Sequence, residues 1–230
     1  FDASWSASTH PQSFPPSPHF SGLIGGTHSA AVAFWTAGEL ASTGIKQMAE
    51  WGSKSALQGE VQTAIGAGQA GEVISGGGIG LSPGQVVKSF TISPDFPLVT
   101  LTTMIAPSPD WFAGVAGLSL LAGEEWITEL VVPLYPYDAG TDSGPNYTSG
   151  DQATNPAVPI FAIVSGPFAQ GEPIGTLTFR LDAAASAPLP EAQLNLSARP
   201  NPFNPTTVFH YEIPAAAQQV QLSIVDVRGR

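Results

Sequence analysis

Proline placement is the feature that most limits what this chain can fold into. It carries 22 prolines, yet none falls between Pro18 and Pro83. A proline inside a helix removes a hydrogen bond and clashes with the preceding turn. Long helices are therefore confined to that window. Elsewhere prolines and glycines recur every few residues, which favours short strands joined by turns. The 25 glycines do not fall at every third position, so a collagen-type chain is excluded. The expected fold is mainly β: an antiparallel β-sandwich with one or two helices inserted in the N-terminal third, plus a short β segment at the C-terminus.

Within the proline-free window, Leu40, Ile45, Met48 and Ala49 fall near helical spacing between Thr36 and Gly52, with Glu39, Lys46 and Glu50 elsewhere on the wheel. Gly52 is placed to stop that helix. Ser53 is the expected cap of a second helix, with Leu57, Val61, Ala64 and Ile65 as its apolar stripe and Gly66 at its end. Both stripes read as core. The run Gly76-Gly77-Gly78-Ile79-Gly80 lacks the Lys-Ser/Thr of a phosphate loop and the dinucleotide fingerprint, so it is expected to be a flexible connector. From residue 1, Phe1, Ala3, Trp5 and Ala7 alternate as one strand before a proline-rich loop. Beyond Pro83 the expected strands are Val86–Ile92, Leu98–Ile105, Val115–Leu121, Ile127–Leu134, Ile160–Val164 and Ile174–Leu181, with a long polar loop from Asp138 to Pro159. This divides the chain into a sandwich over 1–181, an Ala/Pro-rich linker over 182–191 and a partial β domain over 192–230, where Val208–Ile213 and Val220–Val227 read as strands.

Charge narrows the function. Eighteen Asp and Glu against 7 Lys and Arg give a net charge of −11 and a pI near 4.5. So few cations cannot release phosphate counterions, which excludes nucleic acid as partner. The same charge disfavours anionic lipid unless a divalent cation bridges. Without cysteine there are no disulfides, thiolate zinc sites or thiol nucleophiles. No run of about 18 uncharged apolar residues exists to span a membrane. The start at Phe1, with neither Met nor a basic leader, is what a processed secretory product would show.

The informative residues sit in two acidic loops. Pro107-Ser108-Pro109-Asp110-Trp111-Phe112 follows one expected strand and Tyr135-Pro136-Tyr137-Asp138-Ala139-Gly140-Thr141-Asp142-Ser143-Gly144 follows another. Asp138 and Asp142, four apart across a glycine, can curl back on one point, and Asp110 joins them if the loops cluster. Converging carboxylates repel one another without a cation. An all-oxygen set in a loose loop suits calcium better than magnesium. From spacing alone, Asx turns made by Asp138 and Asp142 in a surface loop are the stronger alternative. Trp111, Phe112, Tyr135 and Tyr137 beside these loops either contact a ligand, carbohydrate included, or plug the end of the sandwich.

These two loops resemble the hallmark motifs of the spondin amino-terminal domain, found in extracellular matrix proteins. His19-Phe20-Ser21-Gly22-Leu23-Ile24-Gly25-Gly26-Thr27-His28 and Gly38-Glu39-Leu40-Ala41-Ser42 support the resemblance, which covers roughly residues 1–181. It implies an antiparallel β-sandwich related to calcium-binding, membrane-docking sandwiches, with a divalent cation on Asp110, Asp138 and Asp142. Two departures stand out: an upstream acidic ligand of the family falls near Thr91, with Asp95 merely close in sequence, and the family's cysteines are missing. The tail, Ala198-Arg199-Pro200-Asn201-Pro202-Phe203-Asn204-Pro205-Thr206-Thr207 and Ile224-Val225-Asp226-Val227-Arg228-Gly229-Arg230, resembles the start of the carboxy-terminal sorting domain of type IX secretion substrates. That resemblance implies a bacterial source, in which Asn146-Tyr147-Thr148 and Asn195-Leu196-Ser197 are accidental glycosylation patterns.

Signals for an enzyme are weak. His10, His19, His28 and His210 include no i, i+4 pair. Only a spatial assembly such as His28 with Ser29 could supply a triad. Glu124 and Glu125 would point to opposite faces of a strand. The expectation is a secreted or cell-surface, calcium-dependent binding or adhesion module with a protein or glycan ligand. The alternative is a filament or surface-layer subunit, a homo-oligomer assembled through the C-terminal strands. A metal-assisted hydrolase is the weakest reading.

Overall fold

The computed structural model describes residues 1–168, 171–182, 196–199 and 208–211. The strands are β1 (Asp2–Ala3), β2 (His19–Phe20), β3 (Ile24–His28), β4 (Ala70–Ser75), β5 (Gly84–Gln85), β6 (Leu98–Ala106), β7 (Trp111–Ser119), β8 (Leu121–Ala122), β9 (Glu125–Trp126), β10 (Glu129–Leu134), β11 (Tyr137–Asp138), β12 (Phe161–Ala162) and β13 (Gly175–Arg180). Helices α1 (Thr43–Trp51) and α2 (Ser55–Gly66) lie between β3 and β4. Phe1–Leu181 forms one compact unit and Asp182–Arg230 a second, in which β14 (Leu196–Arg199) pairs antiparallel with β15 (Val208–Tyr211).

The first unit is an antiparallel β-sandwich. Its larger sheet runs β12-β11-β7-β6-β3-β4, with β2 also on β6, and its smaller sheet runs β10-β13-β1-β5. The central strand β6 explains the layering. Val99, Leu101 and Ile105 face the smaller sheet in a core with Trp5, Phe20, Trp111, Leu134, Ile174 and Leu177. Met104 and Ala106 face the other way, against Ile45, Met48, Leu57 and Val61 of the two helices. A strand covered on both faces buries nearly every residue, as β6 does. The threonines this exposes to the interior are satisfied: Thr102 Oγ1 donates to the Ile24 carbonyl at 3.1 Å and Thr103 Oγ1 to that of Ser21 at 2.8 Å.

The helix stripes are core, as expected: Ile45, Met48, Ala49, Leu57 and Val61 are fully buried. Gly52 ends α1 at φ 64°, a left-handed position that glycine adopts without strain. The first helix starts later than its spacing suggested. Ser42 is the cap, its hydroxyl accepting from Ile45 N–H, while Leu40 is exposed and bridges Pro159. Ser53 does not cap α2; Lys54 precedes it without a side-chain cap.

Other expectations are corrected. Val86–Ile92 is not a strand: pairing stops at Gly84–Gln85, and Val86, Phe90 and Ile92 pack on the core from a loop. Apolar side chains sufficed to mimic a strand where no neighbouring backbone is available. The glycine run is no loose connector, because Gly77 O accepts from Leu23 N–H and Ile79 exchanges backbone bonds with Phe20. Strands β3, β4 and β14 were not anticipated, and β12 is only two residues long. Val220–Val227 lies outside the described residues.

Candidate functional site

The two acidic loops meet at one end of the larger sheet. Antiparallel pairing of β11 with β7 places Asp138 opposite Trp111, one residue beyond Asp110. Asp110 is completely buried. Its Oδ2 accepts three hydrogen bonds from the second loop: from Thr141 N–H at 2.7 Å, Thr141 Oγ1 at 3.1 Å and Asp142 N–H at 3.0 Å. Its Oδ1 is buried with no partner.

The other two aspartates are tied into the turn. Asp138 Oδ1 accepts from Gly140 N–H at 2.8 Å and its Oδ2 from Trp111 Nε1 at 3.2 Å. Asp142 Oδ1 accepts from Gly144 N–H at 2.7 Å and Oδ2 from Gln152 N–H at 2.9 Å. Gly140, at φ 73°, allows the chain to turn between them, and a Cβ there would strike the Val158 carbonyl. The Asx bonds of a surface loop are therefore present, and the same residues also face one another as charges.

That crowding shows in their acidities. Burial, then the charge of Asp110, pushes the Asp138 carboxyl from 3.8 up to about 6, against the hydrogen bonds from Gly140 and Trp111. Burial also raises Asp110, with the Asp142 charge adding to it, although three hydrogen bonds oppose the shift. The charges of Asp110 and Asp142 also act on Glu50 of α1. Glu50 is raised by burial; a hydrogen bond with the Thr141 side chain and the charge of Lys46 oppose this, and Asp110 and Asp142 add to it. Nothing in its helical spacing set Glu50 apart from Glu39, which is why the sequence did not single it out.

Among the described residues, no three acidic or histidine side chains already stand in an ion-holding arrangement. The donor chemistry nevertheless suits a hard cation: every group is an oxygen, one carboxylate oxygen is orphaned, and the carboxylates repel. Thr91, where the family's acidic ligand was expected, is not part of this group in the described contacts; its N–H donates to Glu72 Oε2 at 2.7 Å. Asp95 lies in the turn closed by Phe96 N–H on the Ser93 carbonyl.

The neighbouring aromatics are packing elements in the main. Trp111 makes edge contacts with Tyr147 and Phe168, at 5.2 and 5.5 Å between ring centres, and Trp35 does so with Phe112 and Tyr137, both at 5.0 Å. Tyr135 alone of the four expected aromatics is exposed. It borders a cavity of about 590 Å³ with Trp35, Tyr137 and Pro133. His28 is a satisfied core histidine: Nε2 meets Thr100 Oγ1 at 2.8 Å and Nδ1 the Ser29 carbonyl at 2.9 Å, so it forms no triad with Ser29 Oγ. Glu124 and Glu125 lie at the β8–β9 turn.

Comparison with known proteins covers the same stretch. The family model described as Spondin_N matches residues 1–173. The chain is 36% identical to rat Spondin-2 over 160 residues, 68% of this chain and 48% of that protein. It is 35% identical to human Spondin-2 over 169 residues (72% and 51%). With mouse Spondin-1 it shares 34% over 174 residues, 72% of this chain and 21% of that one. The chain thus spans about half the length of the Spondin-2 relatives and a fifth of Spondin-1.

Proposed function

The chain belongs to the spondin amino-terminal domain family, and from that premise we propose that it is a non-enzymatic, calcium-dependent binding module that presents a cation-stiffened loop end to a protein or glycan ligand at the cell surface. The family relatives are secreted proteins of the extracellular matrix, and this chain belongs outside the cell with them. No helix among the described residues is long and apolar enough to cross a membrane.

Asp110, Asp138 and Asp142 are the proposed cation ligands. The observation that carries this is the buried, unpartnered Oδ1 of Asp110, on a carboxyl that burial and the Asp142 charge push upward. An ionised oxygen removed from water without a partner is costly, and a divalent cation is the compensation these residue types accept. The Asp138 and Asp142 oxygens, each bonded to a single N–H group, keep a second lone pair for the ion. A cation would join the β6–β7 loop to the β11 turn and hold rigid the surface that meets the ligand.

The test is a thermal melt in EDTA against one in millimolar calcium, on the wild type and on Asp138→Ala. A calcium-dependent rise that the variant loses supports the reading; equal midpoints in both buffers sink it.

For the tail we propose a second reading: a sorting-type β segment of the type IX kind, as its resemblance implies, from a bacterial source. The β14–β15 ladder gives it β character, and two strands are not stable by themselves. Self-assembly through these strands is the competing outcome. Light scattering across a concentration series, with and without residues 192–230, separates the two: a tail-dependent increase in mass favours assembly.

A further inference from the structure

One edge of β7 is covered along only part of its length. β11 pairs with it at Trp111 and Phe112 alone. Ala139 N–H donates to the Asp110 carbonyl at 3.1 Å, and in an antiparallel pair every second residue turns its N–H and C=O to the same neighbour. Phe112 and then Gly114 therefore face that side too. Phe112 meets Tyr137. Opposite Gly114 no strand follows among the described residues, because the chain before Tyr137 leads into β10 of the other sheet. Gly114 is half-buried and Ala116 is exposed. A register shift opposite Thr100 bends β7 beyond Val115, so the open ladder is short and centred on Gly114.

The cavity of about 590 Å³ runs along this open edge. Gly114, Ala116 and Leu118 border it from β7, Trp35 from the segment after β3, and Val132 and Tyr135 from β10 and its exit. Among the described residues that line it none is Asp, Glu, Lys or Arg, and His28 has both ring nitrogens engaged. Its volume lies in the range that ligand sites occupy. Charge enters only past the end of the strand: β7 runs into the β8–β9 turn, where Glu124 and Glu125 are exposed.

An unpaired backbone edge is complementary to a strand, the uncharged cavity beside it to an apolar side chain, and the acidic turn to a cation. We propose that the β7 edge binds an extended peptide segment of another protein by strand addition. The segment pairs its backbone with Gly114, lodges an apolar or aromatic side chain against Trp35 and Tyr135, and sets a Lys or Arg toward Glu124 and Glu125. A second copy is the poorer occupant, because it brings a net charge of −11 against an equal one. A hydrocarbon would fill the cavity and leave the edge unused. The surface includes none of the three aspartates and needs no ion, so it goes beyond the cation reading and stands or falls without it.

The test is fluorescence anisotropy on the full chain in EDTA, with labelled synthetic peptides of about nine residues. One alternates Phe or Val with Thr and ends in Lys on both sides; a second ends in Glu; a third repeats the first with alternate backbone amides N-methylated. The lysine-ended peptide should bind, the Glu-ended one about tenfold more weakly, and the N-methylated one at least about tenfold more weakly. Ala116→Arg, at an exposed position, and Tyr135→Ala should each weaken binding about tenfold while keeping the wild-type melt. Hydrogen exchange of the Gly114 amide should slow when the peptide binds. Absence of binding by the lysine-ended peptide at millimolar concentration overturns the proposal. Equal binding of the N-methylated peptide reduces the site to an apolar cavity and overturns strand addition. Equal affinity of the wild type and both variants places the peptide elsewhere, and equal binding of the Glu-ended peptide removes the acidic turn from recognition. A dimer in light scattering that Ala116→Arg dissolves assigns the edge to a second copy instead. Should Ala116→Arg fail to fold, Tyr135→Ala and the N-methylated peptide still decide.

Discussion

Helix α1 has a glutamate at each end, one of its own and one from α2, and the two meet opposite surroundings. At the N-terminus, Glu60 of α2 supplies what the helix needs: Oε1 accepts from Gly44 N–H at 2.7 Å and Oε2 from Ser42 Oγ at 2.8 Å, while Ser42 Oγ accepts from Ile45 N–H at 3.1 Å. A carboxylate at the positive helix end, with its donors matched, stabilises. At the C-terminus, Glu50 faces the negative helix end and two more carboxylates, with Lys46 as counter-charge. One residue type therefore fastens the helix at one end and loads it with charge at the other. The difference lies in donor supply, since a buried carboxylate is worth what its partners make it.

The sharpest way to break this comparison is to remove the satisfied member. Glu60→Ala leaves Gly44 N–H and Ser42 Oγ without their acceptor in a half-buried position, and should cost about 2 kcal/mol. Urea denaturation at fixed pH measures it. A loss under about 0.5 kcal/mol would mean that the Ser42 cap alone holds the N-terminus.

A comparable effect of opposite sign is expected from calcium at the acidic loops. A ligand held only by the native state adds roughly 2.7 kcal/mol at a hundred times its dissociation constant. The midpoint should rise in millimolar calcium, and Asp138→Ala should abolish the rise.

How much of this was readable in the residues differs between the two ends as well. Ser42 and Gly52 bracket α1 through local chemistry, a hydroxyl accepting three residues on and a left-handed glycine, although the apolar spacing alone extended the helix back to Thr36. Leu40 misled because an exposed leucine carries the same periodic signal as a buried one. The aspartates were legible as residues, since Asp138-Ala139-Gly140-Thr141-Asp142 is a turn by composition. Their meeting with Asp110 depends on β11 pairing with β7, a long-range contact that no local pattern encodes. Glu50 was illegible for the same reason, as the groups that shift its acidity lie far along the chain, at Asp110, Thr141 and Asp142. Strands β3 and β4 were missed because Gly25, Gly26 and Gly71 dilute their β-branched signal, although glycine is what lets these backbones approach.

A smaller effect follows from pH. A carboxyl whose folded value is raised keeps its proton in the native state after the unfolded chain has lost it. For Asp138, held near 6 against an ordinary 3.8, stability in EDTA should be greatest below about pH 4 as far as this group is concerned, and fall as pH rises toward 6. The calcium-induced rise should run the other way, growing between pH 5 and 7 as the ion displaces the proton. Melts across that range in both buffers read the two trends. A calcium effect that stays flat from pH 5 to 7 would detach Asp138 from the ion.

The smallest expected effect tests the loaded end directly. Glu50→Gln in EDTA removes repulsion from Asp110 and Asp142 and from the negative end of α1, and also removes the 3.7 Å pair with Lys46. A helical i, i+4 pair of this kind contributes about 0.3–0.5 kcal/mol. Relief at the helix terminus is of similar size. The two nearly cancel, so the variant should match the wild type or gain no more than about 0.5 kcal/mol in urea. A loss near 1 kcal/mol in EDTA would instead place Glu50 in the same class as Glu60, a carboxylate whose donors are sufficient without any ion.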